Sequence, residues 1–152
     1  MKAAGMKSAG THAAGLIREA TLADSAAIIA LWQACDLTRP WNDPAADIAL
    51  ALRNPTSTIL LACQDDALVG TVMAGFEGHR GWIYYLATLP DRRGQGIASR
   101  LLAMAQDWLA ALGCPKVELM VREGNEAAGM YEHLGWERQA VAVYARWLRK
   151  DD

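Results

Sequence analysis

The stretch that most constrains this chain is WIYYLATLPDRRGQGIASRLL, residues 82 to 102. A β-branched and aromatic run, Trp82 to Leu89, is closed by Pro90. After Gly94 and Gly96, the residues Ile97, Leu101, Ala105, Trp108, Leu109 and Leu112 recur on one helical stripe, which Gly113 and Pro115 end. A strand feeding a long amphipathic helix in this way belongs to a mixed α/β domain.

The junction itself carries chemistry. A helix N-terminus leaves several N–H groups without partners and bears a partial positive charge, so an anion is favoured there. Gly94 and Gly96 remove the side chains that would hold an anion off those amides, and Arg92 and Arg93 add full charges beside it. The implied ligand is a phosphate, best a pyrophosphate that spans the turn. A Rossmann dinucleotide loop would need a third glycine where Ser99 stands, and a Walker loop would need Gly-Lys followed by Ser or Thr, which is absent. A short glycine motif by itself equally fits a plain strand-to-helix turn with solvated arginines.

The rest of the chain supplies further elements around this junction. Leu16 to Ala20 reads as a first strand, and Thr21 with Asp24 as a capping signal for a helix that ends near Cys35. The prolines of CDLTRPWNDP make a loop, followed by a helix from Ala45 to Arg53. Thr58 to Cys63 and Leu68 to Phe76 form a hairpin around Gln64-Asp65-Asp66. Val117 to Val121 is a strand and Glu126 to Leu134 a short helix, and Trp136 to Gln139 with Val141 to Trp147 are two closing strands. The expected order is β-α-α-β-β-β-α-β-α-β-β, a mixed sheet with helices.

Size and composition narrow the class. A chain of 152 residues, 53% apolar, supports one core, so residues 16 to 150 are expected to form a single domain after a disordered, Ala/Gly-rich tail over residues 1 to 15. A formal charge of −2 with mixed signs argues against nucleic acid as a partner. No apolar run is long enough for a membrane span, and Cys35, Cys63 and Cys114 show no metal-ligand spacing, so a cytoplasmic protein with reduced thiols and no metal is expected.

The run RGQGIA at 93 to 98 resembles the R/Q-x-x-G-x-G/A signature of the GNAT acetyltransferases. The resemblance extends over residues 16 to 148 through LATLP before the loop and Asn125, Tyr131 and Leu134-Gly135-Trp136 after it. RPWNDP, GHRGWIYYL and GCPK are similar more narrowly to the YpeA-like bacterial members. The resemblance implies the GNAT acyl-CoA N-acyltransferase fold and direct transfer of the acetyl group of acetyl-CoA to a primary amine of a small molecule or protein. A rival from another class is a module that binds acetyl-CoA as a sensor with little or no transfer. No cysteine lies in the glycine loop, in LATLP or in the segment from Asn125 to Trp136, which argues against a covalent enzyme intermediate.

Site residues follow from the resemblance. Arg93, Gly94, Gln95, Gly96, Ile97, Ala98 and Ser99 would bind the pyrophosphate, and Leu86, Ala87 and Thr88 the acetyl and pantetheine portions through backbone groups of a strand that splays from its neighbour. Tyr131 corresponds to the general acid that protonates the coenzyme A thiolate, which a phenol of pKa near ~10 can do at neutral pH. Asn125 corresponds to an asparagine that bonds the pantetheine arm, although it precedes Tyr131 by six residues where the family usually has seven. The family's strand glutamate is replaced by Met120, so the base is water or one of Glu77, His79, Tyr84 and Glu118. Acceptors would enter between the loop Asp36 to Asp43 and the hairpin tip around His79, with Trp41 as a wall and Asp43 as a counter-charge, or else with Trp41 in the core and Asp43 as a helix cap. Six tryptophans leave room for an aromatic homodimer contact.

Overall fold

The computed structural model describes residues 15–149; the expected tail lies outside them apart from Gly15. The chain forms two compact units, one ending at Met120 and the other beginning at Val121. The first runs β1 (Leu16–Glu19), a 3-10 turn (Leu22–Asp24), α1 (Ser25–Ala34), α2 (Pro44–Arg53), β2 (Ser57–Gln64), β3 (Ala67–Phe76), β4 (Gly81–Thr88), α3 (Ile97–Ala111) and β5 (Val117–Leu119). The strands lie side by side in chain order, antiparallel except for the parallel pair β4 and β5. That parallel pair requires a crossover, and α3 provides it.

Local chemistry explains the junctions. Asp65 and Asp66 both take positive φ, 48° and 63°, as a two-residue hairpin turn between β2 and β3 demands. The Thr21 N–H donates to Asp24 Oδ2 at 2.8 Å, and Asp24 also receives both guanidinium nitrogens of Arg18, at 2.7 and 2.9 Å. The arginine holds the Asp24 carboxyl at about 2, below its ordinary 3.8.

Both sheet faces are covered. Ile28, Leu31 and Trp32 of α1 and Ile48 and Ala51 of α2 cluster over Ile59 and Leu61 of β2. α3 lies on the other face, where a Cβ on Gly70 would meet Ile97 at 2.9 Å and one on Gly81 would meet Leu109 at 3.0 Å. Leu101, Leu102 and Leu109 are each at most 1% exposed. Burial of each such side chain is worth about 1.5–3 kcal/mol, several times any single helix-propensity difference, so docking on the sheet fixes α3. Glu19 Oε1 ties α3 to the sheet by accepting from Thr58 Oγ1 at 2.9 Å and Trp108 Nε1 at 3.1 Å.

The second unit holds α4 (Ala127–His133). The two closing strands expected at Trp136 to Gln139 and Val141 to Trp147 are not formed, since residues 136–149 contain no strand. β-propensity acts only through a paired neighbour that covers the side chains, and here Val141, Tyr144 and Leu148 are 79%, 95% and 94% exposed. The strand expected from Val117 to Val121 stops at Leu119. No helix among the described residues is long and apolar enough to cross a membrane.

Candidate active site

β4 is not a regular strand. Thr71 of β3 faces Ala87 and Met73 faces Tyr84, which leaves Val72 opposite both Tyr85 and Leu86, a bulge with one extra residue on β4. Tyr85 sits there at φ 50°, a left-handed conformation that costs a bulky residue about 1–3 kcal/mol. Three contacts hold it. Its ring stacks on Trp32 with centroids 3.7 Å apart and planes 7° from parallel, and its hydroxyl donates to Asp47 Oδ2 at 2.7 Å. Its carbonyl accepts from Thr71 Oγ1 at 2.9 Å, and the Thr71 hydroxyl oxygen is itself fixed by accepting from Trp32 Nε1 at 3.0 Å. Burial first, and then the hydrogen bond to Asp47, push the Tyr85 phenol well above its ordinary pKa.

Just before the bulge, β4 loses its outer neighbour. The ladder to β5 pairs Gly81 with Val117, Trp82 with Glu118 and Ile83 with Leu119, and ends there, while β4 continues to Thr88. Leu86, Ala87 and Thr88 therefore extend past the end of the β5 ladder, because β5 itself stops at Leu119. The Ala87 side chain is buried in the α1–α2 core, so only its backbone is available. Thr88 Oγ1 is buried and has no hydrogen-bond partner among the described residues, and the Thr88 carbonyl accepts from Cys35 Sγ at 3.3 Å.

The chain then passes through a 3-10 turn, Pro90–Arg92, into the glycine loop. Gly94 and Gly96 take φ of 80° and 79°, and a Cβ on either would meet nothing within 4 Å. Glycine is required here by backbone conformation, and the space beside it is open. The first helical bond of α3 runs from Arg100 N–H to the Gly96 carbonyl at 3.1 Å, so the amides of Ile97, Ala98 and Ser99 precede it. The Ile97 side chain is buried, whereas Ser99 is exposed. Gln95 Oε1 accepts from Gln64 Nε2 at 3.1 Å, anchoring the loop to the end of β2. Arg92 pairs with Asp91 at 3.4 Å. Arg93 forms no ion pair among the described residues and lies beside Cys35, whose thiol is nevertheless raised because burial outweighs the arginine.

The fit to an acyl-CoA is good on this geometry: left-handed glycines before the start of a 15-residue helix, arginines beside them, a strand edge past its ladder and an orphaned buried hydroxyl.

At the opposite end of β4 is an open recess of about 430 Å³, walled by Phe76, Trp82 and Tyr84 and completed by Asn54, Thr56, Gly75 and Glu77. Glu77 Oε1 accepts the backbone N–H groups of His79 at 2.5 Å and Arg80 at 2.6 Å. These bonds, that of Arg80 first, hold its carboxyl below the usual range. Tyr84 is raised by burial and then by the charge of Glu77. Glu118 lies 3.5 Å from Lys116 Nζ and 4.0 Å from Arg80 Nε. Asp43 Oδ1 accepts from Ala46 N–H at 3.2 Å as the cap of α2, and Trp41 is 52% exposed instead of plugging the core.

The second unit carries Asn125 and Tyr131. Asn125 Oδ1 accepts from Ala127 N–H at 2.9 Å at the start of α4. Tyr131 packs edge-on to Trp136, centroids 6.0 Å apart, and its phenol is raised by burial.

The first unit thus gathers Leu86 to Thr88 and Arg93 to Ser99 along one strand–loop–helix segment, while Asn125 and Tyr131 lie beyond Met120. The bulge lock of Trp32, Asp47, Thr71 and Tyr85 was missed in the sequence; its one signal is the adjacent tyrosines that break the period of two in IYYL.

Comparison with known proteins closes the description. The pattern of the Acetyltransferase (GNAT) family matches residues 26–136. A protein of Pectobacterium atrosepticum named as an acetyltransferase is 50% identical over 129 residues, 84% of this chain and 92% of that one. A Yersinia enterocolitica protein, also named as an acetyltransferase, is 45% identical over 136 residues, 89% and 96% of the two chains. Among solved structures, AAC(6')-Iy in complex with the bisubstrate analogue CoA-S-monomethyl-acetylneamine has a TM-score of 0.76 at 19% identity, covering 86% of this chain and 96% of that one, a likeness of fold.

Proposed function

This chain belongs to the acetyltransferase (GNAT) family, with acetyl-CoA as its cosubstrate, and from that membership we propose how its residues move an acetyl group to a primary amine. The observation that carries the reading is the pair of left-handed glycines before α3, directly downstream of a bulged strand that has outrun its neighbour.

The amides from Gln95 to Ser99 and the Arg93 guanidinium hold the pyrophosphate, as helix N-termini and paired charges do. Leu86, Ala87 and Thr88 align the pantetheine arm with main-chain groups, and the Thr88 hydroxyl gains the partner it lacks. The Leu86–Ala87 backbone after the bulge offers an N–H to the thioester carbonyl as negative charge grows on its oxygen. Asn125, whose Oδ1 is already taken by α4, contributes its amide hydrogens to the arm.

The amine nitrogen bonds to the carbonyl carbon as the carbon–sulfur bond breaks, and Tyr131 gives its proton to the departing thiolate. Burial keeps that phenol protonated at neutral pH, as a donor must be. Water or His79 takes the surplus proton of the amine. Glu77 is held low, Glu118 is paired with cations and Tyr84 is raised, so each is a poor base. A cytoplasmic setting suits three unpaired thiols and this cosubstrate.

Tyr131→Phe is the test. Its kcat should fall about 100-fold, the size of a lost general acid, with the KM for acetyl-CoA nearly constant; unchanged turnover removes the role from Tyr131.

A further inference from the structure

The recess at the N-terminal end of β4 has a chemistry that the transfer reaction does not use. Its walls are three aromatic rings, Phe76, Trp82 and Tyr84, and among the described residues its one charged lining residue is Glu77. No lysine, arginine or histidine among the described residues lines it, although His79 in the adjoining turn is close enough to act on Glu77. Its volume of about 430 Å³ lies within the ~300–1,000 Å³ range of small-molecule pockets. Two backbone N–H groups orient the Glu77 carboxylate, and Tyr84 feels its charge, so phenol and carboxylate serve the same space. Ring faces and a fixed anion together attract an organic ammonium.

The amine that is acetylated must be neutral when it attacks, whereas a carboxylate with two N–H donors retains a cation. The two groups are therefore different groups of one acceptor. Tyr84 immediately precedes the bulge, and Leu86 follows two residues on, a separation of roughly 7 Å along a strand. That is the reach of a short aliphatic diamine to the Tyr84 ring, and Glu77, beyond the Phe76–Gly81 pair, lies farther out along the same recess.

We propose that the recess of Phe76, Glu77, Trp82 and Tyr84 anchors a second, remote ammonium group of the acceptor, which makes the substrate class a diamine or polyamine without a carboxylate. This rests on the acetyl-transfer reading above and names its acceptor. A carboxylate on the acceptor would meet no cation among the described lining residues and would be repelled by Glu77. Asn54 and Thr56 supply neutral hydrogen-bonding groups at the rim.

The test measures thiol release by the full chain with acetyl-CoA and three probes: cadaverine, n-pentylamine and lysine. The kcat/KM for cadaverine should exceed that for either other probe by at least about tenfold, the scale of one charge-assisted bond. Glu77→Gln should bring the cadaverine to pentylamine ratio close to one, and Trp82→Leu should lower it even if the glutamine variant folds poorly. Equal use of cadaverine and pentylamine by the unaltered chain, or a ratio that survives both substitutions, overturns the inference. Calorimetry separates the two levels. If acetyl-CoA binds and pentylamine reacts as well as cadaverine, only the recess assignment fails. If acetyl-CoA does not bind and no probe releases thiol, the transfer reading fails with it.

Discussion

The two ends of β4 are built for the proposed binding in different ways. At the C-terminal end the site is backbone: glycines at positive φ, the amides that open α3 and a strand edge past its ladder. At the N-terminal end it is side chain: rings and a carboxylate drawn from the β3 terminus, the hairpin turn and β4 itself, closed by residues that follow α2. A backbone site tolerates almost any side chain that does not change φ, and suits a group shared by every turnover. A side-chain site changes with each substitution, and suits the partner that distinguishes one enzyme from another. The bulge at Tyr85 joins them, and the strained residue there is held by three separate contacts.

The contrast can be broken most sharply at Gly96. Gly96→Val puts a β-branched residue at φ 79° and should weaken acetyl-CoA binding at least about 100-fold, because the loop must rearrange and the amides lose their aim. Retained affinity in calorimetry would mean that the backbone end is not where the cosubstrate is held. A smaller effect is expected at the joint. Tyr85→Phe leaves Asp47 without its 2.7 Å donor and should cost about 1–2 kcal/mol in urea denaturation, with kcat reduced more than the KM for acetyl-CoA. Loss of stability with kcat untouched would make the lock structural only.

The smallest effect lies at neither end. Arg18 holds Asp24 at about 2, below 3.8, so this pair stabilises the fold fully above about pH 4 and the contribution disappears as pH falls toward 2. Asp24→Asn should flatten that part of the stability curve and leave acetylation at neutral pH unchanged. An acid limb of the same slope in the variant would assign the effect to other carboxylates.

Legibility in the sequence followed the same contrast. The glycine loop, α3 and the β2–β3 hairpin were all readable, because each is a conformational demand made by neighbouring residues. Asp43 as a cap or a counter-charge was left undecided, since an aspartate before a helix serves either purpose until its partner, Ala46 N–H, is seen. The strands expected after α4 were read from apolar alternation alone, and alternation without a paired edge does not make a strand.

What the sequence determined by itself is thus the strand–glycine–helix junction and the family to which it points, because left-handed glycines and an amphipathic stripe act over a few successive residues. The tertiary structure alone decided the bulge lock and the aromatic recess. Trp32 reaches Thr71 across 39 positions and Tyr85 reaches Asp47 across 38, and only the register of the sheet and the docking of two helices upon it bring such partners within a hydrogen bond.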